Sequence, residues 1–308
     1  MSAKGTPVLR TTSEGQEERL RLSVVIPCYN GGATIGEQLE ALANQRWSKP
    51  WEVVIANNGC TDNTLEIVDA YKGRIANLRV VDASKRRGQP YALNVGVEAA
   101  ASENVAICDA DDVVGEGYVA AIGEALEKYD FVACRLGMIK LNPSWLTATR
   151  KFPQDTEIQK YSYPPFLAHA GGGTIGLKRR LWLAVGGVDE SLPYLHDTDL
   201  CWKLQLSGTS LHFVPEAVIH TRLRHTLKGI YGQARSWGEY NVILYKRYRA
   251  YGMPKLSRKA GIKAWLQLLR DLPGYRAMDL NRRAQFVWML AWRVGRLRGS
   301  VKNGVFAL

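Results

Sequence analysis

The chain has 308 residues, 46% of them hydrophobic, which suffices for one large buried core plus an extension and excludes extensive disorder. Its five cysteines, Cys28, Cys60, Cys108, Cys134 and Cys201, form no C-x-x-C pair, which argues against zinc and dithiol frameworks and fits a reducing cytoplasm. The formal charge of +12 is unevenly placed: after residue 225 there are 17 Lys and Arg against three acidic residues, whereas the first 225 hold 24 against 26.

Residues 1–20 are polar, lack the basic and apolar regions of a signal peptide, and read as a flexible tail. Leu22–Ile26 is a short β-branched run closed by Pro27, the pattern of a buried strand. Thr34–Leu42 carries Ile35, Leu39 and Leu42 at helical spacing. Trp51–Ala56 is a second strand ending in Asn57-Asn58-Gly59, followed by a helix over Thr61–Tyr71. Leu78–Asp82, Gln89–Ala101 and Asn104–Cys108 read as strand, helix and strand. Strands alternating with helices predict an α/β domain with a mostly parallel sheet, whose ligands bind beyond the carboxyl ends of the strands. Leu141–Pro165 is broken by prolines into loops and short helices. Leu177–Val185 and Asp199–Leu206 read as further helices, and beyond Arg224 the chain is helical, basic and rich in Trp. No run approaches the roughly 20 apolar residues of a membrane span.

The strand Asn104–Cys108 runs straight into Asp109, Asp111 and Asp112. Three carboxylates at one strand tip repel each other, and a divalent cation with oxygen ligands bridging to a diphosphate accounts for the arrangement. The structural alternative is an acidic turn or an N-cap for a helix from Val113 onward, the role that suits Asp112.

VVIPCYN (Val24–Asn30), VVIANNGCTDNT (Val53–Thr64), GQPYALNVGVEAA (Gly88–Ala100) and CDADD (Cys108–Asp112) occur in this order, and Gly186–Glu190 and His196–Leu200 follow. Over about residues 22–220 this succession resembles the family 2 glycosyltransferases, and ordered motifs are far more specific than any single one. The resemblance implies a GT-A fold, Rossmann-like, and transfer of a sugar from a nucleoside-diphosphate donor with inversion. It implies that Pro27, Tyr29 and Asn30 line the base and ribose pocket and that Asn57 and Asn58 stand where an acidic residue contacts the base. Gly88, Ala92 and Asn94 match the segment beside the nucleotide, with Arg87 upstream as a phosphate partner. Asp109 lies near the ribose and metal, Asp111 on the metal (Mn or Mg), and Asp197 is the catalytic base.

Three positions depart from the family pattern. Asn57 replaces an aspartate, which turns an acceptor into a group that also donates. His196 replaces a glutamate and either tunes Asp197 or packs. Cys60 replaces a serine, a small-residue exchange. His220, closing PEAVIH, is either a third metal ligand or a satisfied strand-end histidine.

Gly171-x-Gly173-x-x-Gly176 fits a dinucleotide fingerprint formally, but His169-Ala170 before it does not read as a strand and the pattern sits mid-chain, outside the first βαβ unit, so a loop shaping the sugar and acceptor pocket is expected instead. Gln233-Ala-Arg235-Ser-Trp237 resembles the Q-x-x-R-W of processive polysaccharide synthases with Arg one place early, and with no transmembrane run to form an export channel, addition of a single sugar is expected. Arg282–Arg298 places Phe286, Val287, Leu290, Ala291 and Val294 along one helical face between arginines, a composition suited to an anionic membrane surface. No nucleic-acid-binding module is present.

The expectation is therefore a flexible tail (1–20), a GT-A domain (21–225) and a basic helical extension (226–308). The chain is read as a metal-dependent, hexosyltransferase-like enzyme acting on a glycan or lipid-linked acceptor in cell-envelope or extracellular polysaccharide synthesis, cytoplasmic and peripheral on the inner face of the plasma membrane. A nucleotidyltransferase of similar fold and an inactive nucleotide-sugar-binding scaffold are the alternatives.

Overall fold

The computed structural model describes residues 19–147, 153–162 and 164–307. Residues 1–18 of the expected tail lie outside the described residues. The first elements are β1 (Leu22–Cys28), α1 (Ile35–Ala43), β2 (Trp51–Asn57), α2 (Thr64–Ala70), β3 (Leu78–Asp82), α3 (Gln89–Ala99) and β4 (Asn104–Ile107). Next come β5 (Val113–Val114), α4 (Tyr118–Lys128), β6 (Phe131–Gly137), α5 (Ser144–Thr147), β7 (Gln159–Ser162) and β8 (Pro165–His169). The chain continues through β9 (Ile175–Lys178), α6 (Arg179–Ala184), α7 (His196–Leu206), β10 (His212–His220), α8 (Leu227–Tyr248), α9 (Arg258–Asp271) and α10 (Leu280–Asn303).

The described residues form two compact units, one drawn from Met1–Gly137, Phe152–Gln159 and His169–Thr221, the other from Met138–Lys151, Lys160–Ala168 and Arg222–Leu308. The first unit holds an eight-stranded sheet in the order β3-β2-β1-β4-β9-β6-β10-β5. Its β1, β2, β3 and β4 pair in parallel, as do β6 and β10. All seven residues of β1 are buried, the signature of a central parallel strand covered on both faces. Ile35, Leu39 and Leu42 of α1 and Val119, Ile122 and Leu126 of α4 join Val24, Ile26, Val53 and Ile55 in the main core. The strand order reverses beside β1, which opens a crevice at its carboxyl end.

Two sequence expectations are corrected here. Leu177–Val185 is not one helix: Leu177 and Lys178 finish β9, which runs antiparallel between β4 and β6, and α6 starts at Arg179. Gly176 explains the strand, because a side chain there would come within 2.8 Å of Val132 and 2.9 Å of Ile122. Asp112 caps no helix either. Strand β5 follows it, α4 begins only after Gly117, and buried Asp112 accepts a hydrogen bond from the Thr221 hydroxyl at 3.1 Å.

In the second unit each long helix begins with a side-chain cap of the kind sequence favours: Thr226 accepts from Gly229, Ser257 from Ala260 and Asp279 from Arg282. Helices α8 and α10 cross at backbone contact. A Cβ on Gly295 would lie 2.0 Å from the Arg235 carbonyl, and one on Gly238 would lie 2.2 Å from that of Trp292. Trp237 meets Trp288 edge to face at 5.5 Å. Leu146 of α5 is buried with Ile230 and Ala284, and Phe166 packs on Tyr248. Arg296 is 1% exposed, its Nε donating to the Ala307 carbonyl at 2.8 Å and a terminal nitrogen to Asn241. The apolar face expected on α10 is spent in this packing: Phe286 and Ala291 are buried and Val287, Leu290 and Val294 half-buried. No helix among the described residues is long and apolar enough to cross a membrane.

Candidate active site

The polar segments after β1, β2 and β4 lie just past strand ends in the first unit, and Gly88 and Asp197 lie at the starts of α3 and α7. Beyond β1, Tyr29 and Asn30 are exposed, and Asn30 takes φ +49°, a left-handed conformation that asparagine tolerates. Its Oδ1 accepts the Thr61 N–H at 2.8 Å, which joins the loops after β1 and β2. Asp62 makes a second tie, accepting the Gly32 N–H at 3.0 Å and the Thr64 N–H at 3.1 Å. The Thr64 hydroxyl first, and then these backbone bonds, hold its carboxyl below the usual range.

The substituted Asn57 uses its Oδ1 to accept the Gly59 and Cys60 N–H groups at 3.1 and 2.9 Å. The amide thus builds the turn after β2, an Asx turn that needs only a carbonyl-type acceptor. Asn58 is buried; its Nδ2 donates to the Ala83 and Arg86 carbonyls at 2.6 and 2.7 Å, and its Oδ1 accepts from Gly88 at 2.9 Å. Gly88 opens α3 with φ +131°, open only to glycine. Arg87 donates to the Asn58 and Gly59 carbonyls at 3.0 and 3.3 Å, and its guanidinium lies 3.6 Å from the centre of the Tyr29 ring. A cleft of about 390 Å³ lined by Arg86, Arg87, Gly88, Tyr91 and Glu190 adjoins this stack.

Four positions with implied donor contacts do other work. Ala92 is fully buried against Ala56 and Ala83, so its side chain cannot meet a ligand. Asn94 clamps the loop after α6, donating to the Val188 carbonyl at 3.0 Å and accepting the Val188 N–H at 3.1 Å. Pro27 is buried within β1. Asn58, as described, spends its amide on the loop before α3.

Asp109 follows β4 and accepts from Gln89 Nε2 at 2.8 Å. Buried Gln38 supports the same loop, donating to the Asp109 carbonyl at 3.3 Å and accepting the Val114 N–H at 2.9 Å. Facing Asp109 is the single turn of 3-10 helix Gly172–Thr174: a Cβ on Gly173 would lie 2.8 Å from Asp109 Oδ2. On the other side of that turn the Gly172 N–H donates to Asp197 Oδ2 at 2.9 Å. Buried Gln154 holds the turn through its bonds to Thr174 Oγ1 at 2.6 Å and from the Gly171 N–H at 3.1 Å. Asp109 and Asp197, far apart in sequence, are therefore both brought against one pair of adjacent glycines.

Desolvation, then the negative charges of Asp112, Asp111 and Asp197, push the Asp109 carboxyl well above its ordinary range, and Gln89 opposes them in part. This excess of negative charge is what a divalent cation would neutralise. Among the described residues no three His, Cys, Asp or Glu side chains stand at ligating spacing. A cation here fits the pattern in which one or two carboxylates, Asp109 and Asp111, share it with a ligand's phosphate oxygens. His220 pairs in register with Val113 and Gly137 beside the acidic loop, its ring seated over Gly137 and Gly115.

Asp197 sits in the first turn of α7, behind Leu195 at φ +61°, a strained backbone for a leucine. His196 is buried; desolvation holds its pKa below the usual 6.5 against the opposing charges of Asp197 and Asp199. His169 is lowered in the same way.

Residues 23–182 match the family described as glycosyl transferase family 2, and residues 104–298 match glycosyl transferase family group 2. The chain belongs to glycosyl transferase family 2. The poly-beta-1,6-N-acetyl-D-glucosamine synthase of Staphylococcus epidermidis is 26% identical over 77% of this glycosyltransferase, which spans 58% of the synthase. GlyG of Streptococcus pneumoniae is 31% identical over 35% of the chain and 36% of its own length. Among solved structures, TarS 1-349 of S. aureus in complex with UDP superposes with a TM-score of 0.55 at 18% identity, covering 93% of both chains. The mannosyltransferase PcManGT from Pyrobaculum calidifontis, in complex with GDP-Man and Mn2+, does so at 0.61 and 19%, covering 91% of this chain and 87% of its own. The first unit of this glycosyltransferase thus has the GT-A fold expected from its sequence.

Sequence reading missed Gln89, Gln38, Asp62 and Gln154 as site residues. Gln89 was legible as the first residue of α3, whose start faces the crevice. Gln38 and Gln154 gave no signal, because a buried glutamine is recognisable only once its partners are placed.

Proposed function

We propose that this glycosyltransferase moves one sugar, with inversion, from a nucleoside-diphosphate donor to a hydroxyl of a glycan or lipid-linked acceptor in cell-envelope polysaccharide synthesis. The observation that carries the reading is that Asp109, just past the parallel strand β4, and Asp197, in the first turn of α7, are both brought against the adjacent glycines Gly172 and Gly173. Tyr29 and Asn30 contact the base and ribose, with the turn at Asn57 shaping that wall. Arg87 reaches the donor only by leaving the Tyr29 ring or by bridging from it. Asp109 and Asp111 would hold Mn2+ or Mg2+, which would supply positive charge against the diphosphate of the donor. His220 stands behind the acidic loop. Asp197 takes the proton from the acceptor hydroxyl as the new bond forms, a task for a carboxylate held in place by the Gly172 N–H. The nucleotides and Mn2+ named for TarS and PcManGT support this donor chemistry. The protein acts at the cytoplasmic face of the membrane as a peripheral enzyme.

The test is a thermal-shift panel of nucleotide sugars with and without Mn2+ or Mg2+, followed by product analysis with the stabilising donor. A cation-dependent shift and release of nucleoside diphosphate are expected. Release of pyrophosphate from a nucleoside triphosphate would assign the site to nucleotidyl transfer, and absence of any shift would remove the reading altogether.

A further inference from the structure

Helix α9 differs from its neighbours in the second unit. Only Gly261 and Leu268 along its length are buried, whereas Ile262, Leu266, Leu269 and the following Leu272 are 56%, 60%, 61% and 52% exposed. Positions 262, 266 and 269 fall within one arc of a helical wheel, so these leucines and the isoleucine form a stripe facing away from the buried Leu268. Lys259, Lys263 and Arg270 line one edge of the stripe, and Arg258 lies at the other. Among the described residues neither Lys259 nor Lys263 has an ion-pair partner. The segment 255–283 carries eight Lys and Arg against Asp271 and Asp279, and Asp271 is engaged by Gln267 Nε2 at 2.9 Å.

An exposed apolar stripe rimmed by unpaired cations is complementary to one kind of surface: a bilayer whose headgroups are anionic and whose acyl boundary accepts aliphatic side chains. Half-buried Trp265 flanks the stripe, a residue suited to a bilayer interface, but a single aromatic beside aliphatic side chains is not the row of stacking platforms through which single-stranded nucleic acid binds. We infer that α9 lies in the plane of an anionic membrane, with Ile262, Leu266 and Leu269 inserted at the acyl boundary and Lys259, Lys263 and Arg270 against the headgroups. This deepens the peripheral-membrane part of the proposed function and moves the contact from α10, whose apolar face is packed internally, to α9. It does not depend on the donor assignment.

The purified full chain is mixed with vesicles of phosphatidylcholine alone or with phosphatidylglycerol, sedimented at low and high salt, and run on size-exclusion chromatography with light scattering. The protein should follow the anionic vesicles only, and less at high salt. The combined Ile262→Asp, Leu266→Asp and Leu269→Asp variant, and separately Lys259→Glu with Lys263→Glu, should each reduce the bound fraction at least about tenfold. Val301→Asp, at an exposed apolar position of α10, should leave it unchanged. The substituted side chains are exposed, and the nucleotide-sugar thermal shift without vesicles should survive in every variant, which separates this result from a failure of the donor site. Binding that resists both α9 variants, or no binding by the unaltered chain, overturns the inference. So does a dimer that the three aspartates convert to monomer, since the stripe would then be covered by a second copy.

Discussion

The Gly172 N–H meets Asp197 Oδ2 at 2.9 Å, while the next residue, Gly173, leaves no room for a Cβ beside Asp109. One short turn thus fixes the spacing between the carboxylate assigned to the donor and the carboxylate assigned to the acceptor. Asp197→Asn keeps an oxygen for the Gly172 bond and removes the base. Transfer should fall about 10²–10⁴-fold while the donor-induced thermal shift stays within error. Unchanged turnover would exclude Asp197 as the base.

Gly173→Ala should act on the other carboxylate. The added methyl would sit 2.8 Å from Asp109 Oδ2 and 3.2 Å from the Asp109 nitrogen, and backbone cannot give way as a flexible side chain would. Donor affinity, measured by calorimetry with Mn2+ present, should weaken by about tenfold or more, equivalent to about 1.4 kcal/mol. An unaltered dissociation constant would mean that Asp109 can move without loss.

The buried His196 sets a pH response. Its folded pKa lies below the ordinary 6.5, so as pH falls through 6.5 the unfolded chain takes up a proton that the folded chain resists. Stability should therefore be full above that pH and decline below it. His169 is shifted in the same direction and contributes alongside. His196→Gln should flatten part of the melting-temperature profile between pH 5 and 7, a window chosen about the ordinary histidine pKa. A profile identical to that of the unaltered protein would show that His196 titrates normally.

In the second unit, Gly295→Ala should destabilise by about 1–3 kcal/mol in urea unfolding, because α8 and α10 touch through backbone at that point. Gly274→Ala, where no atom lies within 4 Å of the new Cβ, is the control, and should change stability by no more than about 0.5 kcal/mol.

The parallel half of the sheet was legible because β1, β2 and β4 each carry a short apolar, β-branched run, Val24–Ile26, Val53–Ala56 and Val105–Ile107, that gives way abruptly to polar residues. The antiparallel insertion was not. Leu177, Leu181, Leu183 and Ala184 have spacing that a helix also satisfies, and only the packing of Gly176 against Val132 and Ile122 decides for a strand at the start. Motif resemblance located the strand ends but not which side chains face outward. The resemblance turns Asn58, Ala92 and Asn94 all toward the donor, yet one is core and two are loop clamps, a distinction that depends on partners distant in sequence. The same reason misplaced the apolar face in the basic region. Phe286 and Ala291 read as a membrane stripe until α8 is laid against them, whereas α9 shows its stripe because little covers it.

The second unit is discontinuous in the chain, and this bears on synthesis. Leu146 and Phe166 leave the ribosome well before Ile230, Tyr248 and Ala284, the residues they pack against. The early segments must remain exposed until the last third of the polypeptide is made, so the nascent chain carries apolar surface for longer than its final form suggests.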